Sequence, residues 1–580
     1  MTQPNSPLDP IRGFFEKLAT HKHVPGLAYG VLVDGELVAA ETLGVANVAT
    51  QAAVTTDSVF RIASMTKSFA AAAILRLRDD GLLCLDNAAA EYVPALAGWR
   101  YPTADATPVT VRQLLNMAAG FPEDNPWGDR QLHRTDAEMD AFYNAGMPWS
   151  TAPGTAFEYS NYAYMLLGRI VTNVAGMPFI DYVNRHFLQP LGMDSTFWQA
   201  EDVPSDRLAL GYRWEDEQWK EEPMLSSGGD VAAFAGIFTS LRDLGRWVAF
   251  FQDAFPPRDD EDNAPLRRSS RREMQQIGRT HTPTVMSNGL GQQPLALSGG
   301  YGFGLAILEN PKWHSVGHGG GLPGFGSYMC WAPNHGVGVI GLSNVTYAGI
   351  GAACREALAV LVTSGDYKPA PVTASPALLA ARDEVIALLN QWDDERAAVL
   401  FADNFFLDMD REHRLKEVAD LRTKHGALTP SGELKAENWL RGTWRMTGER
   451  GWCDLFISLT PTVPPRVQAL EIASTLSPSP ALQAAADALA ALTANPTRQG
   501  VRRLCAKEID FDAVWDQVRL ANILCGPCTI ANVTAGDGVT AGDGEKWAKF
   551  CFTGPKGKTS VTIRINGRAK ATEVVFQPVL

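Results

Sequence analysis

The chain has 580 residues, 46% of them hydrophobic and 20% charged, an ordinary globular composition in a chain too long for one core. Its net charge is −13 with no long basic block, which argues against nucleic acid and anionic membrane as partners. The start, Met1-Thr2-Gln3-Pro4-Asn5-Ser6-Pro7, lacks the basic and apolar regions of a signal peptide, no apolar run suits a bilayer, and the eight cysteines are scattered; a cytoplasmic protein with reduced thiols is expected.

In chain order, residues 8–22 read as an amphipathic helix carrying Ile11, Phe14, Phe15 and Leu18. A hairpin follows, 27–33 and 36–43, around the turn Asp34-Gly35. Next come Ser64 and Lys67, three residues apart, ahead of a strongly helix-favouring run at 70–77. Asp80-Gly81 ends that helix. Thr110-Val111-Arg112-Gln113 has the form of a capping box opening a helix through Met117. The polar, aromatic stretch 120–130 is either the rim of a cleft or a plain connector.

Tyr159 and Asn161 sit where the chain enters a helical run at 163–174. Ser240-Leu241-Arg242-Asp243 opens a helix through Phe251, and the charged, Pro-containing stretch 256–272 reads as a surface loop. Strands are expected at 301–308, 313–318, 328–331 and 337–342, then a helix at 353–362. Strands first, helices in the middle and strands last suit an α+β fold: an antiparallel sheet flanked by helices, with a helical subdomain, spanning 1–368.

Pro369, Pro371 and Pro376 mark a linker, and an internal duplication follows. Ser375-Pro376-Ala377-Leu378 recurs as Ser479-Pro480-Ala481-Leu482. Residues 401–408 align with 505–512, and Thr447-Gly448 with Thr553-Gly554. Two tandem α+β modules are expected, 376–476 and 479–580, each a helix or two and then a β-meander, with a cystatin- or NTF2-like shape by analogy alone.

Ser64 lies near the first turn of its helix, with Lys67 one turn on along the same face. A serine hydroxyl is a poor nucleophile until a neighbouring base takes its proton. A helix N-terminus supplies free N–H groups where an oxyanion would form. Alone the pair is weak, since about one S-x-x-K arises by chance in a chain of this length. It gains weight from Tyr159-Ser160-Asn161 and from Gly317-His318-Gly319-Gly320-Gly321 downstream.

In order, type and spacing these three stretches resemble the penicillin-recognising serine hydrolases, over roughly residues 8–365. That family holds class C β-lactamases, DD-peptidases, D-aminopeptidases and β-lactamase-like esterases. The resemblance implies that Ser64 is acylated, that Lys67 bonds to it, and that Tyr159 is the general base, its pKa lowered by Lys67 and by His318. It implies that Asn161 orients Lys67 and the substrate amide, that His318, Gly319 and Gly320 line or support the substrate, and that the N–H groups of Ser64 and Gly321 form an oxyanion hole. No metal or cofactor is implied. Partners are then a small-molecule or peptide substrate and, as an open possibility, a second copy of the chain.

Where β-lactamases carry Lys-Thr-Gly, this chain has His318-Gly319-Gly320. A fixed cation and a hydroxyl suited to gripping a carboxylate are lost, which disfavours β-lactam hydrolysis and carboxypeptidase action. His-x-Gly resembles the D-aminopeptidase-like members, whose extra C-terminal domains are β-barrels, unlike the modules expected here. Amide cleavage of a small peptide or D-residue substrate is the first expectation. An esterase is the alternative, a β-lactam hydrolase a lesser one, and an idle scaffold the reading from another class.

Three further features carry less. Cys525-Gly526-Pro527-Cys528 matches a thioredoxin dithiol but precedes a β-prone stretch. His314 and His318 lie in a β-like segment without a third ligand nearby, so zinc is not expected. The doubled Val-Thr-Ala-Gly-Asp-Gly at 533–544 reads as a loop.

Overall fold

A computed structural model describes residues 6–281, 284–286, 295–309, 313–533, 544 and 546–578. Alternation along one strand explains its layering. In β1 (Gly26–Val33), Ala28 and Leu32 enter one core while Leu27, Tyr29 and Val31 enter another. Side chains alternate across a strand, so a continuous apolar run means that both sheet faces are covered.

β1 pairs antiparallel with β2 (Glu36–Asn47) across the Asp34-Gly35 turn. The sheet continues through β3 (Leu295–Tyr301), β4 (Ala306–Glu309), β5 (His314–Leu322), β6 (Phe325–Ala332) and β7 (Val337–Ser343). The spatial order is β3-β4-β5-β6-β7-β1-β2, with short strands extending both ends to ten strands among the described residues.

One face is covered by α1 (Arg12–His21) and α5 (Ile350–Thr363), where Phe15 stacks on Tyr29 at 3.8 Å between centroids. The other carries α2 (Thr66–Asp79), α3 (Asn161–Ala175) and α4 (Leu241–Gln252). The four alanines Ala70–Ala73 are wholly buried on α2, so the middle of this helix is covered on every side and lies within the core. Among the described residues no single helix is long and apolar enough to cross a membrane.

The chain divides into two compact units, with the boundary between Ala370 and Pro371. The second unit repeats one pattern twice. In the first copy α6 (Pro376–Asn390), α7 (Asp394–Leu400) and α8 (Arg411–His425) precede the meander β8 (Thr429–Asn438), β9 (Arg441–Gly448), β10 (Gly451–Leu459) and β11 (Val467–Leu476). In the second, α9 (Pro480–Ala494), α10 (Arg498–Leu504) and α11 (Phe511–Cys525) precede β12 (Thr529–Val533), β13 (Trp547–Gly554), β14 (Gly557–Ile565) and β15 (Ala571–Pro578). Ser375 and Ser479 play the same part, each side chain capping its helix by accepting from the N–H three residues on, Leu378 and Leu482. Each copy is more helical than a helix or two.

Several sequence expectations are corrected. The stretch 256–272 is not all surface loop: Arg268–Met274 is a helix, and Arg271 on it is fully buried. Its guanidinium donates to Asp253, to Asp262 and to the Phe250 carbonyl, pairings that make burial tolerable. The single strand expected at 301–308 is two strands, broken between Tyr301 and Ala306 where Gly304 takes φ +70°. A Cβ on Gly304 would lie 2.7 Å from the Lys67 carbonyl, so this turn presses on the backbone of α2. The α3 helix begins at Asn161 rather than 163, with Ser160 as its cap. Cys525 is the last residue of α11 and Cys528 follows it, both buried free thiols. A helix C-terminus disfavours a thiolate, the reverse of a thioredoxin site. Of the doubled hexapeptide, residues 534–543 lie outside the described residues.

Candidate active site

The chain enters the site through a small sheet of Val59–Arg61, Phe238–Ser240 and Thr196–Phe197. Ser64 then sits on a single 3-10 turn, Ala63–Met65, directly ahead of α2. Ala63 takes φ +49°, a left-handed conformation costly for a residue with a side chain, immediately before the serine.

Lys67 is completely buried. Its Nζ lies 2.9 Å from Ser64 Oγ, 2.7 Å from Asn161 Oδ1 and 3.2 Å from the Phe234 carbonyl oxygen. Burial pulls its pKa down to about 7, against the charges of Asp129 and Asp124. The two carbonyl oxygens can only accept. As an ammonium Lys67 donates to all three oxygens; once deprotonated, the amine can keep its two N–H groups on Asn161 and Phe234 and turn its lone pair to Ser64.

Asn161 is held from both ends. Asp124 accepts from its backbone N–H at 2.7 Å and from the Tyr162 N–H at 2.8 Å. Its side-chain Nδ2 donates to Asn125 Oδ1 at 3.0 Å, which leaves Oδ1 facing Lys67. The stretch 120–130 thus caps α3 and orients the lysine's partner. Asp124→Ala is expected to cost about 1–3 kcal/mol of stability through the two lost charge-assisted bonds, read from a denaturant midpoint. It is also expected to lower activity at temperatures where the protein remains folded.

Tyr159 is half-buried just before the α3 cap. Burial drives its phenol well above the ordinary value, against a hydrogen bond with Ser64 that acts to lower it. The expected lowering by Lys67 and His318 is therefore corrected. Lys67 Nζ does lie 4.9 Å from the Tyr159 ring centroid, but it is a buried amine near its own neutral point. His318 is neutral: burial, then the Lys67 charge, brings its pKa down to about 3. Its Nδ1 is 2.6 Å from the Gly319 carbonyl, which can only accept, so Nδ1 carries the proton. Nε2 then accepts from the Tyr301 hydroxyl at 2.8 Å.

The glycine-rich strand has an open edge. β4 pairs only with His314–Gly317 of β5, whereas β6 pairs along Val316–Leu322. His318–Leu322 is thus unpaired with β4 and faces the Ser64 turn instead. Gly320 lies against that turn, where an added Cβ would come within 2.0 Å of the Ile62 carbonyl oxygen.

A cleft of about 580 Å³ opens over these groups. Ser64, Tyr159, His318, Gly319 and Gly321 line it, while Lys67 and Asn161 lie beneath its floor and Gly320 is not among the lining residues. The sequence reading missed Tyr347, which also lines the cleft and packs against Gly321, and did not single out Asn125 or Asp129 within their loop. Among the described residues no group of three or more His, Cys, Asp or Glu side chains is placed to hold a metal ion.

Comparison with known proteins agrees with this architecture. The beta-lactamase family model matches residues 11–363. Penicillin-binding protein 4 of Amycolatopsis lactamdurans is 29% identical over 344 residues, which cover 57% of this chain and 83% of that protein. Protein flp of Staphylococcus aureus strain MW2 is 27% identical over 325 residues, which cover 56% of this chain and 60% of flp. The octameric penicillin-binding protein homologue from Pyrococcus abyssi matches with a TM-score of 0.53 and 18% identity across 98% of both chains, a likeness of fold. By the extent of the family match, together with the β-lactamase-like fold, this chain belongs to the beta-lactamase family.

Proposed function

We propose that the protein is a serine hydrolase that cleaves an amide of a small peptide or D-residue substrate through a Ser64 acyl-enzyme. The observation that carries this reading is the 2.9 Å approach of Lys67 Nζ to Ser64 Oγ at the floor of an open cleft. Neutral Lys67 takes the Ser64 proton as Oγ attacks the carbonyl carbon. The N–H groups of Ser64 and Gly321 receive the developing oxyanion. The Tyr159 phenol, kept protonated, passes its proton to the leaving nitrogen and is replenished from Lys67. Water then attacks the Ser64 ester by the same route in reverse. The base role moves from Tyr159 to Lys67 because burial acts in opposite directions on a phenol and an amine.

The octameric state of the archaeal homologue supports self-association of this chain as part of the same proposal. Initial rates on a panel test the substrate class: D- and L-aminoacyl anilides, short peptides, p-nitrophenyl esters and nitrocefin, with wild type beside Ser64→Ala. Amide turnover that disappears in the variant is the expected result. Ester turnover alone would replace the amidase reading with the esterase one, and rapid nitrocefin hydrolysis would show that loss of the Lys-Thr-Gly cation does not exclude β-lactams.

A further inference from the structure

The loop that orients Asn161 also delivers a carboxylate to the cleft. Asp129 follows the short helix Asn125–Gly128 and is only 4% exposed, yet it lines the same cavity as Ser64. Its Oδ2 accepts from the Tyr347 hydroxyl at 2.6 Å, and the Tyr347 ring rests against Gly321. The carboxylate is thereby fixed beside the edge strand, near the nucleophile.

We propose that Asp129 is a specificity-determining residue whose carboxylate receives a protonated amine of the substrate. The inference rests on the reading of Ser64 as the nucleophile and names the charge its substrate carries. Its basis is electrostatic accounting within the cleft. Among the described residues lining it there is no lysine or arginine. His318 holds its Nδ1 proton on the Gly319 carbonyl and offers no charge. Lys67 lies under the floor with three hydrogen-bond partners of its own. Among the described residues lining the cavity Asp129 is thus the one acidic side chain, and its near neighbour is the Tyr347 phenol. Burial pushes its carboxyl above the usual range, against the Tyr347 hydrogen bond and the Lys67 charge. A desolvated carboxylate of this kind favours a cationic ligand and repels an anionic one. A substrate carboxylate would find no lysine or arginine among the described lining residues, whereas an ammonium would find a fixed acceptor.

The test uses the full chain with four probes: D- and L-alanine p-nitroanilide and their N-acetyl derivatives. Acetylation removes the positive charge and leaves the scissile bond alone. Wild type is expected to favour the free amine in kcat/KM by at least about tenfold. In Asp129→Asn that ratio should fall at least about tenfold, with the loss carried by the KM of the free-amine substrate, and Asp129→Glu should restore part of it. A wild type indifferent to acetylation would overturn the proposal, as would an Asp129→Asn variant that loses both substrates in equal proportion. Should Asp129→Asn fail to fold, the wild-type ratio alone decides.

If no probe is turned over, the failure belongs to the nucleophile reading, and binding separates the two. Calorimetry of Ser64→Ala with alaninamide and with N-acetylalaninamide then decides: tighter binding of the cationic amide supports the subsite, and equal or weaker binding overturns it.

Discussion

Ser64→Ala is expected to abolish turnover of every substrate the wild type accepts, a loss of about 10³–10⁶ in kcat. The size follows from the chemistry, because no other hydroxyl is hydrogen-bonded to the buried Lys67 amine among the described residues. Stability should change little, by about 1 kcal/mol. Lys67 keeps the Asn161 and Phe234 oxygens as partners, and the serine hydroxyl borders an open cleft. A thermal melt beside the rate assay separates loss of chemistry from loss of fold. Activity that survives in a folded Ser64→Ala protein would remove the nucleophile assignment.

The second large effect concerns the base. With its pKa lowered to about 7 by burial, Lys67, as the proposed base, is expected to be protonated and inactive below that pH and neutral above it. The rate constant kcat/KM is therefore expected to rise through about pH 7 and then level off. Tyr159 stays a neutral phenol throughout that range, because burial raises its pKa. Tyr159→Phe should cost about 10²–10⁴ in rate by removing the proton relay, and the limb near pH 7 should persist in what remains. Lys67→Met should remove the limb along with nearly all activity. The contrary result is a Tyr159→Phe enzyme whose rate no longer depends on pH around 7. The titrating base would then be Tyr159, and the cation near its ring would matter more than its burial.

The neighbourhood of Ser64, Lys67, Tyr159 and Asn161 is legible in the sequence, and their titration is not. Ser64 and Lys67 are legible because they are one helical turn apart, and Tyr159 and Asn161 because they flank a helix start. The capping box at Thr110 and Gln113 is present in both directions for the same local reason. Direction of titration is another matter. It depends on the 0% exposure of Lys67 and on what packs over Tyr159, and neither is a property of three adjacent letters.

The partners that finish the site are also distant in the chain. Tyr347 reaches Asp129 across 218 residues, and Asp124 caps Asn161 across 37. No motif links them; the sheet and the 120–130 loop bring them together. The break between β3 and β4 was hidden for a similar reason. Gly302-Phe303-Gly304 is compatible with a glycine-bearing strand until the approach of α2 is known. Arg271 reads as surface charge until Asp253 and Asp262 are seen around it.

The covalent intermediate can be looked for directly. Wild type mixed with a p-nitrophenyl ester or an aminoacyl anilide, quenched in acid within one turnover and digested, should yield a peptide heavier by one acyl group. The acyl group is expected on Ser64, and it should be absent from Ser64→Ala treated alike. An acyl group found elsewhere, for instance on the exposed Cys84 thiol, or steady turnover with no acylated peptide at all, would contradict the Ser64 acyl-enzyme.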